Sequence, residues 1–327
     1  MRIAVDGMGG DRAPEVIVEG ALQAAEEYGI EILLVGPPES LANELDRSGI
    51  KGLPITIHAA FQVVGMHDSP MVALRKKPDS SIMIAARLLK DGKADGLFTA
   101  GNTGAAMAVT KVVLGALKGV ERPAIAVLIP TRRGSSVLID VGANVDCKPG
   151  HLLQFAIMGR VYVEEILGRP MPRIGILNIG EEEAKGNELT KKTYRLLRAS
   201  SLNFVGNIEG RDIMAGRADV VVCDGFVGNI VLKFAEGLGE MIVAALKGGI
   251  SQEENSMIED SLRGLERRLD YSEYGGAPLL GIDGVCIISH GSSSTKAIKN
   301  GIKLAADFVN RQVNDHIVEA IGRPHRL

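Results

Sequence analysis

The chain has no tryptophan, only 4% aromatic residues and only three cysteines in 327 positions. Without aromatic platforms, a carbohydrate or peptide groove is a poor fit, and a sheet packed by small aliphatics is a better one. Cys147, Cys223 and Cys286 are too few and too scattered for a disulfide framework or a zinc site, which fits a reducing cytoplasm. No secretory leader is expected, because Met1-Arg2 runs straight into a short Ile3-Ala4-Val5 strand. No apolar run is long enough to span a bilayer. A net charge of −3, from 37 Lys+Arg against 40 Asp+Glu, argues against nonspecific nucleic-acid binding. Linkers, repeats and low-complexity tracts are also missing, so 1–327 reads as a single folding unit.

What the chain does have is an alternation of strand and helix patterns. Short β-branched runs bounded by turn residues predict strands at 2–5, 31–35, 55–58, 95–98, 124–129, 136–141, 173–177, 203–207, 219–223 and 285–288. Between them, apolar residues step at helical spacing, as in Leu152, Ala156, Gly159, Val163 and Leu167, and again in Ile302, Ala305, Val309, Val313 and Ile317. That order predicts an α/β fold: a wound, mainly parallel sheet with helices on both faces. The runs 124–129 and 136–141, joined by Pro130 to Ser135, read as a hairpin and make the sheet mixed. In 236–270 two apolar stripes flank Gly248-Gly249, which predicts a protruding helical hairpin.

Polar turns stop these strands: Asp6 to Asp11, Ala100 to Gly104, Asp140 to Asp146, Asp224 to Asn229 and His290 to Ser294. Most precede helices, so their N–H groups could converge on one anion, which points to phosphate. A dinucleotide fingerprint fails, because Gly7 and Gly9 are followed by Arg12 where a third glycine is needed, and no Walker pattern occurs. The plain alternative for the first turn is a helix capped by Asp11 near Pro14. Asn102 and Asn229 each sit beside glycines, where an amide could donate to phosphate or to an oxyanion; the alternative is that both cap the helices that follow. Lys185 follows a strand but stands beside Glu181, Glu182 and Glu183, as an ordinary solvated lysine would. His290 could donate to an anion or pack against the sheet end. A thioester on Cys147 or Cys223 is a rival chemistry, and Asp140 with Asp146 a rival metal site; inert thiols and no catalytic metal are the expectations.

Taken together, Val5 to Asp11, Thr99 to Ala105, Asp140 to Asp146, Lys185 to Glu188, Asp224 to Asn229 and Tyr274 to Ala277 closely resemble the bacterial PlsX family of acyl-(acyl carrier protein):phosphate acyltransferases. The resemblance runs in order through the whole chain. It implies a fold like that of the isocitrate/isopropylmalate dehydrogenases, a homodimer, and conversion of acyl-(acyl carrier protein) and inorganic phosphate to acyl phosphate and free carrier protein for phospholipid synthesis. No cofactor of its own is implied, since phosphopantetheine arrives on the carrier protein. By this resemblance Lys185 and Asn229 are the catalytic candidates. Asp6, Gly9, Gly10, Asn102, Thr103, Gly104, Asn144, Asp224, Gly228, His290 and Ser292 are candidates for lining the substrate pocket. The acidic carrier needs a basic dock, for which Arg75, Lys76 and Lys77 or Arg263, Arg267 and Arg268 are available. Peripheral contact with the inner face of the cell membrane through 236–270 is opposed by Glu253, Glu254, Glu259 and Asp260, so dimer packing ranks first there. A dehydrogenase and a noncatalytic scaffold for fatty-acid enzymes are the other function classes that this fold could serve.

Overall fold

The computed structural model describes residues 1–249 and 273–323. Eleven strands form one sheet: β1 (Arg2–Asp6), β2 (Glu31–Gly36), β3 (Ile55–Ala59), β4 (Gly96–Thr99), β5 (Ala124–Thr131), β6 (Gly134–Ile139), β7 (Ile174–Leu177), β8 (Phe204–Ile208), β9 (Val220–Val222), β10 (Ala277–Leu280) and β11 (Cys286–Ile288). Their spatial order is β3-β2-β1-β4-β11-β10-β5-β6-β9-β7-β8. Ten of these match the strands expected from the sequence. The eleventh, β10, reads Ala277-Pro278-Leu279-Leu280, with a proline and no β-branched residue, so it gives no strand signal.

Alternation along each strand divides the core in two, because successive side chains leave opposite faces. Ile3 and Val5 enter one cluster while Ala4, between them, enters the other, and Ile32 and Leu34 alternate in the same way with Leu33 and Val35. The first face is covered by α1 (Glu15–Tyr28), α2 (Pro38–Ser48), α6 (Pro149–Leu167), α7 (Glu188–Ala199), α10 (Thr295–Asn310) and α11 (Val313–Gly322). The second is covered by α3 (Pro70–Arg75), α4 (Ser81–Lys90), α5 (Thr103–Val113), α8 (Gly210–Ala215) and the start of α9 (Gly225–Gly249). The apolar stripe from Ile302 to Ile317 is split between two helices, because Gln312 turns left-handed at φ +50 and breaks the ladder between α10 and α11.

The expected hairpin is present: β5 and β6 run antiparallel, with Thr131 opposite Gly134. Its consequence reaches further than the hairpin. β1 to β4 and β11 run parallel to one another, β10 and the β5–β6 hairpin then reverse the sense, and β6, β9, β7 and β8 run parallel among themselves in the opposite direction. The polar turns therefore gather in two groups rather than one, at the carboxyl ends of two oppositely directed sets of strands. Of the expected helical hairpin at 236–270, only the portion up to Gly249 falls within described residues, as the end of α9. No helix among the described residues is long and apolar enough to cross a membrane.

Candidate active site

The first group of turns surrounds Asp6, at the end of β1. Its carboxylate accepts the Thr99 hydroxyl at 2.8 Å and the Met8 N–H at 3.3 Å, and the Thr99 oxygen in turn accepts the Gly101 N–H at 3.0 Å. Two turns from neighbouring strands are thus tied through one buried carboxylate. A side chain at Gly9 would stand 2.7 Å from Gly101 N and 2.8 Å from the carboxylate, so only glycine lets the turns approach. The Asp11 N–H donates to Gly291 O at 2.9 Å, which joins the third turn. Asp11 does not cap α1, whose N-cap is Pro14 with no side-chain hydrogen bond. In that third turn the His290 Nδ1 lies 2.8 Å from the Ser292 hydroxyl, and both residues are exposed.

Asn102 takes the capping alternative. Its Oδ1 accepts the Ala105 N–H at 2.9 Å, and its Nδ2 donates to Met66 O and Asp68 O, each at 2.8 Å. The amide thereby pins the 65–68 loop over the start of α5, where exposed Thr103 and half-buried Gly104 lie. Lys77 is taken up in the same loop, donating to Asp68 and Val63 O at 2.7 Å. Arg75 and Lys76 remain exposed; Arg263, Arg267 and Arg268 lie outside the described residues.

Burial pushes the Asp6 carboxyl above its ordinary value of 3.8, against the lowering effect of the Ser81 and Thr99 hydroxyls and the Met8 N–H. Because the folded pKa lies above the unfolded one, the charge costs stability at pH values above the folded pKa, and the cost fades as pH falls toward the unfolded value. The side-chain donors are hydroxyls, which can turn and accept from an amide. Asp6→Asn is therefore expected to raise the melting temperature at neutral pH by about 2–4 °C, the shift that one kcal/mol gives in a large domain. Melting curves at falling pH should show this gain vanish near the ordinary carboxylate value.

The second group lies where β6, β9 and β7 end level with one another, since Val222 pairs with both Ile139 and Ile176. Asp140 follows β6, fully buried, and receives four hydrogen bonds: Ile125 N–H at 2.9 Å, Ala143 N–H at 3.2 Å, Asn144 N–H at 2.7 Å and Asn144 Nδ2 at 3.0 Å. Asn144 Nδ2 also donates to Pro123 O at 2.7 Å, and Asn144 O accepts the Gly225 N–H at 2.7 Å. Asp224 caps α9 by accepting the Val227 N–H at 2.9 Å. Asn229 therefore lies inside α9 with no capping duty, exposed and leaning on the Gly142 turn.

Lys185 stands on the adjacent loop after β7. The Asn178 amide donates to Lys185 O at 3.2 Å and to the Asn207 oxygen at 3.0 Å, while the Asn207 amide donates to Glu182 O at 2.8 Å. Of the three neighbouring carboxylates, Glu181 pairs with Arg217 and Glu183 with Arg198. Lys185 is left exposed and makes no ion pair among the described residues. Asn178 and Asn207, which build this loop, carry no motif that would mark them beforehand.

The thiols nearby are not poised to react. Burial, reinforced by the Asp140 and Asp224 carboxylates, pushes Cys147 up to about 12 and Cys223 well above the ordinary thiol value. Neither offers a thiolate at neutral pH. Among the described residues no three His, Cys, Asp or Glu side chains are grouped to hold a metal ion.

A mixed sheet of two opposed parallel halves, with polar turns at its strand ends and Lys185 exposed beside one group of them, is the architecture of a wound α/β enzyme of the dehydrogenase-like type. Solved structures bear this out at the level of fold. A phosphotransacetylase from Streptococcus pyogenes superimposes with a TM-score of 0.64 at 17% identity, over 95% of this chain and 94% of that one. A 4-hydroxythreonine-4-phosphate dehydrogenase from Klebsiella pneumoniae gives 0.51 at 14%, over 94% and 98%. Residues 1–316 match the family model described as fatty acid synthesis protein. A phosphate acyltransferase of Geobacter sulfurreducens is 52% identical over 98% of this chain and 94% of its own length, and one of Geotalea daltonii is 52% identical over 100% and 96%. The chain belongs to this family, the PlsX phosphate acyltransferases of fatty acid and phospholipid synthesis.

Proposed function

We propose that this enzyme takes a long-chain acyl group from acyl carrier protein and gives it to inorganic phosphate, and that Lys185 and Asn229 stabilise the reacting carbonyl. The observation that carries the reading is that the loop holding Lys185 and the helix holding Asn229 follow neighbouring strands, β7 and β9, whose ends are level, and that neither side chain is spent on a hydrogen bond or ion pair among the described residues. A phosphate oxygen attacks the thioester carbon, charge grows on the carbonyl oxygen, and the C–S bond breaks. The proton of hydrogen phosphate ends on the departing thiol, so acyl thioester and hydrogen phosphate become acyl phosphate and free thiol. Phosphate is already ionised near neutral pH, so the site has to position it rather than deprotonate it. A preorganised amide and an ammonium suit the oxyanion. The phosphopantetheine arm arrives on the carrier, and the enzyme needs no resident cofactor or catalytic metal.

The two groups of turns serve one cleft in this reading. At the usual twist of about 20–25° per strand, the five steps from β4 to β9 would turn the two opposed sets until their carboxyl ends point within roughly 80° of each other. α5 bridges them: Asn102 caps it in the first group, while Met107 and Lys111 line a small cavity with Ala143 and Asn144 of the second. Incubation with palmitoyl-carrier protein, labelled phosphate and hydroxylamine should yield a hydroxamate through a labelled mixed anhydride; its absence would overturn the reading.

The carrier is acidic, and Arg75 with Lys76, exposed at the end of α3, is the proposed dock. Reversing both charges is expected to slow association about ten-fold at low salt and little at high salt. Stopped-flow binding at two ionic strengths reads this directly. The protein is proposed to be cytoplasmic, at most peripheral to the membrane, and a homodimer. The α9 face carrying Phe226, Ile230, Phe234 and Met241, each more than half exposed, suits a second copy. Sedimentation of Phe234→Glu should then show a monomer, and an unchanged dimer would remove this face from the interface.

A further inference from the structure

We infer that Asp140 is a positioning residue for Asn229: it fixes, through the Gly142 turn and the first turn of α9, where the Asn229 amide stands. The inference rests on Asn229 acting on the substrate, as proposed above.

Four contacts carry it. The carboxylate binds the N–H groups of Ala143 and Asn144, so the backbone just after Gly142 is held at both of its donors. A side chain on Gly142 would stand 3.7 Å from Asn229 Cγ, so the amide lies over the space that this glycine leaves open. On the other side, Gly228 presses against the Asp140 carbonyl so closely that any side chain there would collide with it. Gly225 closes the ring: its N–H donates to Asn144 O, and a side chain on it would stand 2.8 Å from the Asp140 carboxylate. Asn229 thus stands beside two backbone segments that meet at Asp140, one held by its carboxylate and the other packed on its carbonyl.

The chemistry of the donors makes the carboxylate hard to replace. Asp6 faces hydroxyls, which can reverse. Asp140 faces only N–H groups, which cannot. An asparagine at 140 would turn an NH2 toward either Ile125 and Ala143 or the two Asn144 donors, losing a pair of hydrogen bonds and adding a donor–donor clash in a buried site. No lysine or arginine pairs with Asp140 among the described residues, so hydrogen bonds alone compensate its charge. Met107 and Lys111, across the cavity, touch none of these bonds.

The test is steady-state kinetics of Asp140→Asn, Asn229→Ala and the double variant, with circular dichroism and melting curves as controls. Asp140→Asn is expected to lower kcat by about 10²-fold, the cost of misplacing a reacting group by an ångström, while KM for phosphate changes little. The double variant should be no slower than Asn229→Ala alone, because the two act as one unit. Multiplying losses, or a folded Asp140→Asn enzyme with normal kcat, would overturn the inference while leaving Asn229 in place. A harmless Asn229→Ala would overturn both. If Asp140→Asn does not fold, Asn144→Ala, which removes one side-chain donor, carries the same comparison: a kcat loss that disappears in the Asn229→Ala background supports the inference, and one that persists sinks it.

Discussion

Asn229→Ala is expected to lower kcat by about 10²–10³-fold, the usual cost of removing one donor from a preorganised oxyanion site, with little change in the stability of the fold. Both halves of that expectation follow from where the residue stands. The Asn229 side chain is exposed, makes no hydrogen bond among the described residues, and leaves α9 capped by Asp224 when it is shortened. Alanine is the better helix former, so the helix itself loses nothing. KM for phosphate should rise less than kcat falls, since an amide placed for the developing charge matters most in the transition state. Single-turnover measurements separate this from a slowed product release. An Asn229→Ala enzyme within a few-fold of wild-type kcat would remove the amide from the chemistry and leave Lys185 and main-chain donors to carry it.

Gly228→Ala, one residue earlier, is expected to fail for the opposite reason. The new methyl would run into the Asp140 carbonyl and stand 2.9 Å from Cys223 Sγ, and neither can retreat, because the Asp140 N–H is bonded to Cys223 O and the Cys223 N–H to Ile139 O. The strand end is held by its ladder, so α9 must tilt away. Overpacking of this kind costs about 3 kcal/mol at the upper end of its usual range. The melting temperature should fall by roughly 6–12 °C, and turnover should fall as for Asn229→Ala, because the amide moves with its helix. A variant that melts normally and turns over normally would show that the start of α9 has room that the packing denies.

The contrast between these neighbours shows how much of the site could be read beforehand. Strand positions were legible because β-branched runs and turn residues announce themselves locally, and the β5–β6 hairpin was legible because its connection is short. The reversal between the two halves was not, since it depends on β10 arriving from position 277 to lie between β11 and β5. Four residues with a proline in them carry no trace of that partner choice. Sequence placed five polar turns at strand ends; only pairing shows that they form two groups.

Within the turns, residue type alone could not separate the two asparagines. Asn102 and Asn229 both sit among glycines, yet one is consumed by a cap and a loop and the other is left available. The difference lies in Asp224, which takes the capping role five residues before Asn229. Lys185 gained standing for a reason equally invisible in one dimension: Arg198 and Arg217, both distant in sequence, neutralise two of its three acidic neighbours. Asp140 was legible as the start of a polar turn and, with Asp146, as a rival metal site. Its real partners are main-chain donors, and these have no sequence signature.

The late arrival of β10 also constrains how the molecule is made. Until residues 277–288 leave the ribosome, β4 and β5 each expose a bare edge of N–H and C=O groups, and the two half-sheets have nothing between them. Pairing across so long a stretch of chain is slow, and an unfinished sheet is a template for its neighbours. Nascent chains stopped before residue 277 should therefore clump, and holdase chaperones would find their main client surface along that seam.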